Sequence, residues 1–135
     1  MSLAPESKEK ILEAIPFLPD LKLGRISKVY DGDSYWFTCY LSGDSKLYRF
    51  PLRLRGVDTP ELRTKCTEEK KLAISARDFV SSLILNKIVE VKNIAREKYG
   101  RILCDIFVDG KSLCDLVIES GHGRRYYGGK RAKWI

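Results

Sequence analysis

Two loops of this 135-residue chain carry acidic residues at a spacing suited to a cation. Asp31 and Asp33 flank Gly32 in an Asp-Gly-Asp-Ser turn, and Asp58, Thr59 and Glu61 fill a second loop. Carboxylates gathered in loops offer several hard oxygen ligands, as calcium or magnesium requires. Taken alone, the Asp31–Ser34 turn reads more simply as a solvated turn. The second loop is less easily explained, because it follows directly on Arg53 and Arg55. Such closeness of cations and anions means either surface salt bridges or a site for a metal and a phosphate. Exposed pairs contribute only about 0–1 kcal/mol, so stability explains little of it.

The elements that must position these residues can be followed along the chain. A short amphipathic helix is expected over residues 5–14, with Pro5 early in it, Ile11, Leu12 and Ile15 on one side, and Pro16 ending it. Strand character begins at Gly24: Ile26–Tyr30 and Tyr35–Leu41 enclose the first acidic turn, and Ser42–Ser45 is a second turn. Tyr48, Phe50, Leu52 and Leu54 then alternate with Arg49, Pro51, Arg53 and Arg55, which makes a strand with an apolar inner and a basic outer face. Pro51 confines its position to an edge, a bulge or a place that needs no N–H.

Thr67–Leu85 reads as the main helix, capped by Thr67, with Leu72, Ala76, Phe79, Val80 and Leu83 on its apolar face. Strands follow over Lys87–Ile94 and Arg101–Val108, separated by a Lys98-Tyr99-Gly100 turn. Ser112 and Asp115 have capping-box spacing before a short helix that Gly121 closes. Five strands, with one helix between the third and fourth and another after the fifth, fit an α+β but mainly β architecture. This is a five-stranded OB-fold barrel with two to three helices. The organisation is one domain over residues 21–135, preceded by an extension over residues 1–20 with its short helix.

Composition agrees with a single core: 44% hydrophobic and 32% charged residues. A formal charge of +7 and a pI near 9.3 attract polyanions. Cys39, Cys66, Cys104 and Cys114 form no C-x-x-C pair and lie far in sequence from His122, which argues against zinc. Three of them sit in apolar runs, where a reduced cysteine behaves as a small hydrophobe. No secretory signal is visible, and the Ile11–Leu18 stretch, broken by Glu13 and Pro16, is too short to span a membrane. The expectation is an intracellular monomer with free thiols and no membrane attachment.

Asp31-Gly32-Asp33-Ser34, then Arg53-Leu54-Arg55-Gly56-Val57-Asp58-Thr59-Pro60-Glu61, then Lys98-Tyr99-Gly100-Arg101 together resemble the staphylococcal nuclease family over about Gly24 to Tyr127. The resemblance implies an OB-fold barrel bearing a calcium site that cleaves DNA and RNA at the 5′-O bond, leaving 3′-phosphate ends. It implies Asp33, Asp58 and the Thr59 carbonyl as metal ligands, Glu61 on the attacking water, and Arg53 and Arg101 on the phosphate. It further implies Lys98, Tyr99 and Tyr127 beside the nucleotide, and Asp31 as an acidic neighbour that shapes the metal site. Ser34 stands where threonine is frequent, the stretch from Glu61 to the helix is short, and Gly129 stands where a second tail tyrosine is expected.

The chemistry agrees with that assignment. Phosphodiester hydrolysis needs charge stabilisation on the phosphate oxygens, which a divalent metal and two guanidinium forks supply. Arg49 and Arg55 read as exposed strand arginines. The tail from Gly121 to Ile135 has five basic residues and no acid, interleaved with Tyr126, Tyr127 and Trp134. It either stacks bases of a single strand and holds its phosphates, or is a solvated terminus whose aromatics fold onto the barrel. Two rivals to the nuclease are a catalytically silent nucleic-acid-binding copy of the domain and an OB-fold single-strand binder. The first is recognised by lost carboxylates or arginines, and here all are retained. In the second, clustered carboxylates would repel the backbone it binds.

Overall fold

The computed structural model describes residues 6–135; Pro5, expected early in the first helix, lies outside them. The chain forms α1 (Lys8–Leu12), β1 (Leu23–Asp31), β2 (Ser34–Tyr40), β3 (Leu47–Leu54), β4 (Gly56–Asp58), α2 (Thr67–Ile84), β5 (Ile88–Arg96), β6 (Ile102–Val108), β7 (Lys111–Ser112), α3 (Leu113–Glu119) and β8 (Arg124–Tyr126). Sheet order β3-β2-β1-β5-β6 closes on itself through a parallel β3–β6 pairing, Leu52↔Ile102 to Leu54↔Cys104. The result is the expected five-stranded barrel. Closure begins one residue after Pro51, so the missing N–H falls where β3 is still an edge on that side.

Period-two alternation fills the barrel. Ile26, Phe37, Leu52, Leu54, Val89, Val91, Cys104 and Ile106 are all buried. Gly24 permits one close contact here: a Cβ on it would lie 2.4 Å from Phe37 Cζ and 2.7 Å from the Thr38 carbonyl. Cys39 and Cys104 are buried, and all four cysteines are free thiols. Burial pushes the Cys104 thiol up to about 12.

Helix α2 packs against β1, largely on the expected face, with Ala76 and Val80 buried and Phe79 and Leu83 against the core. Its buried residues are Ala73, Ala76, Val80 and Ile84, while Leu72 is exposed. Phe79 and Leu83 are only partly buried, at the margin of that face. Thr67 does not cap it: Cys66 occupies the cap position without a side-chain bond. Instead Thr64 Oγ1 accepts from the Cys66 amide at 3.1 Å and donates to Glu69 at 2.7 Å. Ser112 does cap α3, accepting from the Asp115 amide at 3.3 Å. Helix α1 buries none of its residues; Ile11, Leu12 and Ile15 are exposed rather than packed on the barrel. No described helix is long and apolar enough to cross a membrane.

Sequence patterning missed the small β4–β8 sheet, in which Gly56–Asp58 pairs with Arg124–Tyr126. That pairing brings the carboxy-terminal tail beside the second acidic loop.

Candidate functional site

The two acidic loops meet at one end of the barrel. Asp33 lies in the β1–β2 turn and Asp58 ends β4; both are buried, as is Thr59. The Thr59 amide donates to Asp33 Oδ2 at 3.3 Å, and Ser34 Oγ donates to Asp33 Oδ1 at 3.1 Å. Gly32 makes the approach possible, since a Cβ there would lie 2.7–2.8 Å from the Thr59 side chain. Gly32→Ala should therefore cost about 1–3 kcal/mol of stability by overpacking, read from urea melts. A variant as stable as the parent would show that the two loops tolerate separation.

Arg53 joins the loops. Its side chain is only 12% exposed, so it is no member of a solvated basic face. Nη1 donates to the Leu54 carbonyl at 2.7 Å and the Val57 carbonyl at 2.9 Å, and lies 3.4 Å from Asp33 Oδ2. Nη2 lies 3.9 Å from Asp58 Oδ1. Arg55, expected exposed, is partly buried and lies 3.5 Å from Asp105, whereas exposed Arg49 stacks over Trp36 at 4.5 Å.

Arg101 enters from the turn after β5. Nε and Nη2 grip Glu97 at 2.7 and 3.3 Å, and Nη1 donates to Ser34 Oγ at 2.7 Å. Burial alone would lower the Arg101 guanidinium, but Glu97 outweighs it and the net direction is up. Sequence reasoning misses Glu97; its four-residue spacing from Arg101 is the available signal.

The acidic cluster carries electrostatic strain. Burial, and then the neighbouring Asp33 carboxylate, push the Asp31 carboxyl up to about 7. Burial also raises Asp58, against the opposing pull of Arg131. That arginine, in sequence only one residue of a basic tail, reaches back into the site. Its Nε lies 3.0 Å from Asp58 Oδ2, its Nη2 2.8 Å from Asp58 Oδ1 and 3.3 Å from the Thr59 carbonyl, and its Nη1 bonds Glu61.

Most of these groups open onto a cleft of about 820 Å³. Asp33, Arg53, Asp58, Glu61 and Arg101 line it, and so do Lys98, Tyr99 and Tyr127. Thr59 alone of the predicted site residues is behind the lining, its side chain buried beneath the loop with Oγ1 unpartnered. Tyr99 and Tyr127 are about three-quarters exposed, at 76% and 78%. Lys98 Nζ sits over the Tyr99 ring at 5.5 Å. Trp134 does not extend into solvent: Arg124 stacks on it at 3.9 Å.

Among the described residues no three acidic, histidine or cysteine side chains surround a common point. The donors that could hold a cation are two carboxylates and a main-chain carbonyl. They fit a hard divalent ion: all are oxygen, Asp33 and Asp58 are buried, and a positive group already rests on Asp58 and Thr59.

Residues 51–133 match the family model described as staphylococcal nuclease homologue. The chain belongs to that family. The first acidic turn precedes the matched span, yet the Asp33 contact with Thr59 ties it to the residues within it. Among curated proteins, the chain is similar to an Escherichia coli protein named uncharacterized endonuclease, 29% identical over 73% of this chain and 57% of the relative. It is also similar to staphylococcal-like nuclease CAN1 of Arabidopsis thaliana, 27% identical over 64% of this chain and 26% of the relative. The chain thus spans little more than half of the first relative's length and about a quarter of the second's.

Proposed function

We propose that this nuclease-family domain is a calcium-dependent phosphodiesterase that cuts single-stranded DNA or RNA at the 5′-O bond, leaving 3′-phosphate ends. The observation that carries the reading is the juxtaposition, in one open cleft, of buried Asp33 and Asp58 with Arg53 and Arg101. The Asp33 and Asp58 carboxylates and the Thr59 carbonyl would hold the ion. Bound there, calcium would withdraw charge from a phosphate oxygen. Arg53 and Arg101 donate to the remaining phosphate oxygens, and such preorganised donors contribute about 2.7–4 kcal/mol each. Glu61 orients the water and accepts its proton. Lys98, Tyr99 and Tyr127 hold the nucleotide at the cleft rim, where exposed rings beside cations suit unpaired bases.

The test is incubation with end-labelled single-stranded and duplex substrates, in calcium or in excess chelator, beside the Arg53→Ala/Glu61→Ala double variant. Calcium-dependent cutting of single strands to 3′-phosphate ends, lost in the variant, is expected. Products with 5′-phosphate ends would overturn the bond assignment. No cutting, with nucleic-acid binding unchanged by chelator, would replace the enzyme with a silent binding module.

A further inference from the structure

We infer that Arg131 is a built-in counter-ion that competes with the divalent cation for this site and sets the concentration at which the site fills. The inference rests on the reading of Asp33, Asp58 and the Thr59 carbonyl as cation donors. Arg131 claims two of those three groups, approaching both Asp58 oxygens and the Thr59 carbonyl, and it binds Glu61 as well. Asp33 is left to Arg53 at 3.4 Å.

Guanidinium and metal would draw on the same oxygens. Calcium binds oxygen at about 2.3–2.6 Å, and the Arg131 nitrogens already stand 2.8 and 3.0 Å from the two Asp58 oxygens. A cation drawing on those oxygens would contend with the arginine for their lone pairs and meet its positive charge at close range. The need for a counter-ion is plain from burial: the Asp58 side chain is 6% exposed, and a buried carboxylate without a partner is costly.

The tail is shaped to deliver this residue. Gly128 and Gly129, at φ 108° and 85°, turn the chain in a conformation that side chains resist. Tyr126 Oη donates to the Gly129 carbonyl at 2.8 Å. Beyond Arg131, Arg124 stacks on Trp134 at 3.9 Å and donates to the Lys133 carbonyl at 2.7 Å. Arg131 is therefore fastened on both sides, two residues after the Gly129 bond and two before the Lys133 bond. A loosely solvated basic tail would show neither bond.

Competition has a definite thermodynamic form. The hydrogen bonds and ion pairs that Arg131 must give up oppose cation binding, so removing the arginine must strengthen that binding by the same factor. The test is calorimetric titration of calcium chloride into the full chain and into Arg131→Ala, Arg131→Gln and Lys130→Ala. Lys130 is the exposed neighbour, and its variant removes the same charge without touching the carboxylates. Both Arg131 variants should bind calcium about tenfold more tightly than the Lys130 variant. In chelator they should also melt at lower temperature than the parent, with a larger rise when calcium is added. If the parent binds calcium and the Arg131 variants match Lys130→Ala or bind more weakly, the competition is refuted while the cation site stands. If neither the parent nor any variant binds calcium, and an Asp58→Asn control is indistinguishable from them, the cation site falls and the inference with it.

Discussion

Arg53→Ala should lower single-strand cleavage about 10²–10³-fold and destabilise the fold by about 3–5 kcal/mol. The two losses have separate origins. The guanidinium lies 3.4 Å from buried Asp33, so its removal leaves that carboxylate without its ion-pair partner, while Asp58, 3.9 Å away, keeps Arg131. Removal also leaves the Leu54 and Val57 carbonyls without their shared donor. The catalytic loss comes from the other end of the fork. Only Nη1 is engaged in hydrogen bonds among the described residues, so Nε and Nη2 retain donors for a phosphate. Arg53→Lys separates these effects. Lysine keeps the charge near Asp33 and should recover most of the stability, but it offers no planar fork and should recover little cleavage. Urea melts and single-turnover cleavage by the same preparations make the comparison. A lysine variant restored in both respects would mean that charge alone matters; an alanine variant that cuts normally would remove Arg53 from the site.

Much of the barrel is legible because its strands announce themselves locally. Leu52 and Leu54 alternate with arginines, and such alternation has only one good solution beside a core. What escapes is whatever depends on partners far along the chain. Strands β4 and β8 are three residues each, too short for a pattern, and exist because they pair across more than sixty positions. Helix α2 shows the limit of periodicity: Leu72 and Ala73 lie on adjacent stripes, and Ala73 is buried while Leu72 is exposed. The apolar side of α1 stays exposed at Ile11 and Leu12, as suits an extension outside the barrel.

The site divides in the same way. Asp33, Arg53, Asp58, Glu61 and Arg101 are found through short motifs, and the fold brings all five to one cleft. Arg131 cannot be found so, because its contact with Asp58 spans 73 positions and depends on the β4–β8 pairing. The Gly128-Gly129 pair before Lys130-Arg131 is the one local hint that the tail turns back. Trp134 folds down under Arg124, whereas Tyr127 stays exposed at the cleft rim.

Arg101→Ala should reduce cleavage about 10²–10³-fold as well, and here the informative comparison is with Glu97. Glu97 takes Arg101 in a two-point grip at 2.7 and 3.3 Å, and accepts the Tyr99 amide at 3.0 Å. It thereby fixes both the arginine and the turn that carries Lys98 and Tyr99, which makes it a positioning residue. Nothing in the proposed chemistry requires it to touch phosphate. Glu97→Gln should keep a hydrogen-bonding side chain but lose the charge-assisted grip, lowering the maximal rate about tenfold, or roughly 1.4 kcal/mol. If Glu97 acts through Arg101, the Arg101→Ala/Glu97→Gln double variant should cut no more slowly than Arg101→Ala alone, because residues acting as a unit are not additive. Losses that multiply would instead assign Glu97 a role of its own. A rise in KM without a change in kcat, found in Glu97→Gln alone, would move its contribution to the Lys98–Tyr99 rim. The grip is the better explanation physically: the Glu97 side chain is 12% exposed, and Arg101 is its one ion-pair partner among the described residues. A guanidinium held at Nε and Nη2 by one carboxylate, and at Nη1 by Ser34, has little freedom left. Its position relative to Asp33 is then set before any substrate arrives.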